Sequence, residues 1–134
     1  MKTVFSSFRS WPVLVVAGLM LGVGPGCTQV QVAPNVQGEF KPGLGELQVF
    51  ADRDFAAVHA ATKKAIKDLG LFETQDEKKL VEADLRARDS ADTMITVKIK
   101  EVAKNRTSVK IRYGLVGGDL ANAQRVYQAI QKHL

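Results

Sequence analysis

The side chains able to do nucleophilic, acid–base or metal chemistry are few: one cysteine, Cys27, two histidines, His59 and His133, and 14 acidic residues in a chain of 134. A lone cysteine forms no internal disulfide. Two histidines far apart in sequence, without an adjacent acid or nucleophile, make neither a catalytic triad nor a metal shell. Both are expected at the surface, His133 also favourable against the C-terminal end of a helix dipole. No catalytic residue, metal or cofactor is expected. Glu82, Asp84, Arg86 and Arg88 could be carboxylates with basic partners, yet such alternation is far more often the solvated side of a strand. Gly114-Leu115-Val116-Gly117-Gly118-Asp119 joins a strand to a helix, and its glycines could turn backbone amides toward a phosphate. The segment has no Lys-Ser/Thr of a nucleotide loop, and Asp119 at the helix start would repel an anion. Gly114, Gly117, Gly118 and Asp119 therefore read as a structural turn and cap.

Cys27 takes its meaning from what precedes it. Residues 1–26 hold Lys2 and Arg9 and no acid, then an apolar run over 11–23, then Gly24-Pro25-Gly26. A basic start, a short apolar stretch and a small-residue cluster are the three parts of an export signal. The run is shorter than the roughly 20 residues of a membrane-spanning helix. A cysteine directly after it looks like a bacterial lipoprotein site, where a diacylglyceryl group joins the thiol and cleavage makes Cys27 the new N-terminus. Gly24 stands where that pattern usually has Leu. Thr28, where an Asp would mark inner-membrane retention, points to the periplasmic face of the outer membrane. The formal charge of +5 comes from 19 basic against 14 acidic residues. Losing Lys2 and Arg9 leaves 17 against 14, or +3.

Hydrophobic residues make up 46% and charged residues 25%, a composition that folds. Residues 28–43, with two Pro, two Gly and three Gln, read as a tether, and Val30, Val32 and Val36 offer an edge strand as the alternative. One domain is expected over 44–134. Leu47 and Val49 mark a strand. Asp52 or Asp54 caps a helix with Phe55, Val58, Thr62, Ala65, Ile66 and Leu69 on one face, ended by Gly70. Strands follow at 71–76 and 81–88. Ile95, Val97 and Ile99, then Val109, Ile111 and Tyr113, put every apolar residue at an odd position. Their hairpin must pair odd with odd, Ile99 opposite Val109 and Lys98 opposite Lys110, through a three-residue turn at Ala103-Lys104-Asn105 with Asn105 left-handed. A last helix buries Leu120, Ala123, Val126, Tyr127, Ile130 and Leu134. The class is α+β: an antiparallel sheet of about five strands with two helices on one face, in the order β-α-β-β-β-β-α.

The leader, the helix ending in Asp68-Leu69-Gly70-Leu71, the charged hairpin and Tyr113-Gly114-x-x-Gly117-Gly118-Asp119 before a helix with Ala129-Ile130 resemble a family of small bacterial lipoproteins. That family carries a domain of unknown function. The resemblance implies a periplasm-facing domain and supplies no catalytic residues.

In this register Arg86, Arg88, Lys98, Lys100, Lys110 and Arg112 project opposite the helices, a basic face for an anionic envelope component or envelope protein. The bland alternative is charge that keeps the face soluble and blocks sheet association. Nucleic acid is not expected, because the strand faces carry Lys and Thr where base stacking needs aromatics. The function classes are a membrane-anchored, non-enzymatic binding or assembly module, a carboxylate-dependent hydrolase, or a domain holding an apolar ligand in a cavity between helices and sheet.

Overall fold

The computed structural model describes residues 26–134, so the export signal expected over 1–26 lies, apart from Gly26, outside the described residues. Seven strands form one antiparallel sheet: β1 (Thr28–Ala33), β2 (Val36–Lys41), β3 (Glu46–Ala51), β4 (Phe72–Lys78), β5 (Glu82–Arg88), β6 (Met94–Ala103) and β7 (Arg106–Tyr113). Helix α1 (Phe55–Asp68) follows β3, and α2 (Leu120–Gln131) follows β7. The spatial order β1-β2-β3-β7-β6-β5-β4 joins two meanders through the β3–β7 pair. From β3 onward the element order is the expected β-α-β-β-β-β-α.

Alternation puts the odd-numbered residues of β3, β5, β6 and β7 on the face beneath the helices. Two rows run across those four strands: Leu47, Ile111, Val97, Leu85 and Val49, Val109, Ile99, Ala83. All eight are buried, and Val58, Ala61, Ala65, Val126 and Ile130 close over them from the helices. That filling occupies the space between helices and sheet in which the apolar-ligand alternative would place a cavity. The Ile99–Val109 and Lys98–Lys110 pairs both form. The turn differs: Ala103 pairs with Arg106 around a two-residue loop, Lys104-Asn105, and the register shifts between Glu101 and Ala103. The extra residue is Val102, and this bulge preserves the odd–odd parity that the burial pattern requires. Asn105 has φ 55°.

The tether expectation is corrected. Residues 28–41 form β1 and β2, so the folded unit begins one residue after Cys27. Pro34 and Asn35, with Asn35 at φ 62°, turn between them, a pairing of Pro with a left-handed residue that suits a type II turn. On β2 the inward positions are Val36, Gly38 and Phe40, and Gly38 hides the alternation. A Cβ there would sit 2.8 Å from Val32 Cγ2 and 3.0 Å from Val49 Cγ2. Val32 is 1% exposed and fills the space that a side chain at 38 would take.

Both helix starts are capped as their sequences allow. Asp54 Oδ1 accepts from the Ala57 amide at 3.2 Å, and Asp119 Oδ1 from the Asn122 amide at 3.1 Å. Helix α1 ends in a Schellman arrangement: Gly70 has φ 66°, its amide donates to the Lys67 carbonyl, and the Leu71 amide donates to the Ile66 carbonyl. The loop before α2 is held by a closer contact. A Cβ on Gly118 would lie 2.1 Å from the Gly45 carbonyl oxygen, and both residues have φ above 60°. Gly118→Ala should therefore cost about 2–5 kcal/mol through left-handed strain and backbone overpacking. A urea midpoint equal to that of the unaltered protein would contradict this packing.

Candidate functional site

The face away from the helices carries the even-numbered residues of β3, β5, β6 and β7. All six basic residues expected there, Arg86, Arg88, Lys98, Lys100, Lys110 and Arg112, occupy outward register positions. They differ in what they are bound to. Arg88 Nη1 donates to Asp92 Oδ1 at 2.8 Å. Arg112 donates to the Leu115 carbonyl and faces Glu46 across β3. Arg86 Nε is 3.9 Å from Asp84 Oδ1. Arg88 and Arg112 are thus spent on local structure, while Arg86 makes only a loose contact to an Asp84 oxygen that accepts no hydrogen bond. Lys98, Lys100 and Lys110 make no ion pair with any described residue.

The three lysines line an open groove of about 410 Å3, together with Gln48, Ser108, Val102, Lys79 and the acids Glu77, Glu82 and Asp84. Its charge is ordered by strand. Glu77 faces Asp84, Asp84 faces Lys98, Lys98 faces Lys110 and Lys110 faces Gln48, while Glu82 faces Lys100. Acids hold the β4–β5 side, where Lys79 pairs with Glu82, and lysines the β6–β7 side. The lysines and two of the acids follow from strand alternation; Glu77 lies beyond residue 76, the expected end of its strand. Lys98 beside Lys110 is a like-charge cross-strand pair, which disfavours folding by a few tenths to about 1 kcal/mol. A glycosidase-type pair needs one carboxyl set in an apolar pocket. Here Glu82 and Asp84 keep 46% and 30% of their side chains exposed, in an open groove among lysines.

His59 is a correction. It is buried at 8% exposure, with Nε2 3.0 Å from Asp76 Oδ1 and its ring 6.1 Å from that of Phe55. Lys63 donates to Asp76 Oδ2 at 2.8 Å and lies 3.3 Å from Glu73 Oε1. Burial pushes the Asp76 carboxyl up, and the hydrogen bonds from Lys63 and His59 more than reverse this, leaving it below its ordinary value. The arrangement fastens α1 to the edge strand β4. Asp76 and Lys78 share the inward face of β4 with Glu73 only because the register shifts between Glu73 and Gln75, so plain alternation could not pair Asp76 with His59. His133 is exposed and bonds Asp68, tying the end of α2 to that of α1.

Cys27 is exposed, next to Glu39 and Lys41. A hydrogen bond with Glu39 pushes its thiol up, the opposite of what an activated nucleophile requires. Gly114, Gly117 and Gly118 all have positive φ and carry the chain from β7 to the Asp119 cap. Among the described residues, no three of His, Cys, Asp and Glu group as a metal shell.

Fold and site define a small α+β domain with an open seven-stranded sheet, a helical layer on one face and a lysine-lined groove on the other. The chain belongs to the family described as protein of unknown function (DUF3568), which matches residues 11–133. No curated protein matches it.

Proposed function

We propose that this protein is a membrane-anchored module of a bacterial cell envelope, held by acyl chains on Cys27 at the periplasmic face of the outer membrane. It binds an anionic envelope component or envelope protein through Lys98, Lys100 and Lys110, without catalysing a reaction. The observation that carries the reading is the position of Cys27: exposed, directly after an export-type segment, and one residue before the first strand. The family match takes in both the apolar run and this cysteine. One acyl chain gives only marginal membrane binding, with about 0.8 kcal/mol per buried CH2, so the two or three chains of a lipoprotein supply durable attachment. With β1 starting at Thr28, the anchored domain stands against its membrane.

The groove suits a partner that is recognised by charge. Three lysines that form no ion pair among the described residues, on an uncovered sheet face with Glu82 and Asp84 beside two of them, attract anions over a Debye length of about 8 Å at physiological salt. Growth with a labelled fatty acid tests the anchor. The wild-type protein is expected to carry label, and Cys27→Ser none while retaining residues 1–26. Equal labelling of both would sink the anchor.

A further inference from the structure

One end of the sheet collects three exposed apolar side chains from two loops. Thr28 pairs with Phe40, Lys41 with Glu46, and Glu46 with Arg112, so the start of β1, the β2–β3 turn and the β7–α2 loop share that end. The contact between Gly45 and Gly118 locks the two loops together. Their tips expose Leu44 (58%), Leu115 (64%) and Val116 (94%). Leu80, Val81 and Val102 are exposed at the opposite end. What separates the two ends is the path of the chain. The apolar run over 11–23 and Cys27 lead into the fold at Thr28, beside Leu44 and far from Leu80.

We propose that Leu44, Leu115 and Val116 form a membrane-contacting surface that inserts into the lipid interface beside the point where the chain enters the fold. This deepens the anchor reading, which supplies the reason for that end to meet a bilayer. At this end Glu46 stands beside Lys41 and Arg112, Arg88 is paired with Asp92, and Asp119 adds one more acid, so there is no cationic excess; apolar contact holds the surface down, and the attachment is insensitive to salt. The strands then stand away from the bilayer. Lys98 and Lys110 lie three to four residues from the end of β7, and Lys100 and Ser108 five to six, at about 3.3 Å per residue. The groove is thus held roughly 10–20 Å above the contact surface, facing partners outside the protein's own membrane.

The test uses the full chain with Trp11→Phe, so that an introduced indole is alone, reconstituted into phosphatidylethanolamine–phosphatidylglycerol vesicles with brominated acyl chains. Val116→Trp fluorescence is expected to fall about twofold against unbrominated vesicles, since interfacial apolar groups reach about 5–10 Å into the acyl boundary. Leu80→Trp is expected to be unchanged. Val116→Trp quenched no more than Leu80→Trp overturns the proposal. Val116→Trp shielded from iodide without vesicles, in a sample of dimer mass, assigns the tips to a second copy and also overturns it. The intact mass of the same sample reports Cys27 separately. Unacylated Cys27 with a quenched Val116→Trp refutes the anchor and supports the contact surface; acylated Cys27 with no quenching does the reverse.

Discussion

Asp76→Ala is expected to lower stability by about 2–4 kcal/mol and to loosen β4 before the rest of the sheet. Hydrogen bonds to charged groups contribute about 1.5–3 kcal/mol each, and partial exposure of Lys63 reduces the sum. β4 is an edge strand with no fully buried residue, and its inward positions are Glu73, Asp76 and Lys78. Its hold on the helical layer therefore runs through Asp76 to His59 and Lys63. Truncation leaves His59 buried without its partner, which is the costly half of the change. Asp76→Asn keeps the hydrogen-bonding shape and should cost less. The same contact sets a pH dependence. Because the folded carboxyl sits below its unfolded value, the unfolded chain binds more protons in acid. The stabilisation is present above about pH 4 and is lost as pH falls through the lower folded value. Asp89, also held low by the Tyr113 hydroxyl and the Thr93 amide, contributes in the same direction, so Asp76→Asn should shrink the acid slope without abolishing it. Urea midpoints at neutral pH and near pH 3.5, with hydrogen exchange at β4 amides, check this. Unchanged midpoints and uniform exchange would contradict it.

Reversing Lys98, Lys100 and Lys110 to Glu should eliminate co-sedimentation with peptidoglycan sacculi. Two of the reversals also set acid against a native acid: position 98 faces Asp84 and position 100 faces Glu82. A lost signal could then come from a damaged sheet, at up to about 1 kcal/mol per like-charge pair. The triple Gln variant removes that ambiguity. It relieves the Lys98–Lys110 repulsion, keeps the fold and takes away three cations, each contributing about 1 kcal/mol at an anionic surface. Binding should weaken about 100-fold, with a shallower salt dependence. Equal replacement of Arg86, Arg88 and Arg112 should weaken binding much less, because none of them lines the groove and Arg88 and Arg112 are engaged by Asp92 and the Leu115 carbonyl. Binding that ignores all three lysines, or does not respond to salt, would remove the groove from the account.

Much of the fold was legible because one rule, alternation against a buried face, applies across the neighbouring strands β3, β7, β6 and β5. The pairing of Lys98 with Lys110 followed from parity alone, and the Val102 bulge changed the turn without disturbing it. The rule fails where an inward position is not a large apolar residue. Gly38 breaks the apolar pattern of β2 because Val32 occupies its space, and Pro34 with Asn35 then read as linker chemistry. β4 turns acids and a lysine inward, so His59 looked like a surface residue although its partner was 17 positions away. Residue identity placed six cations on one face; only the contacts of each side chain reduced them to three available lysines.

The intact mass of the protein extracted from membranes tests the central claim most directly. A lipid-anchored module predicts a chain that begins at Cys27 and carries the added mass of a diacylglyceryl group and an N-terminal acyl chain. A chain with free Cys27, whether cleaved elsewhere or still bearing residues 1–26, would contradict it.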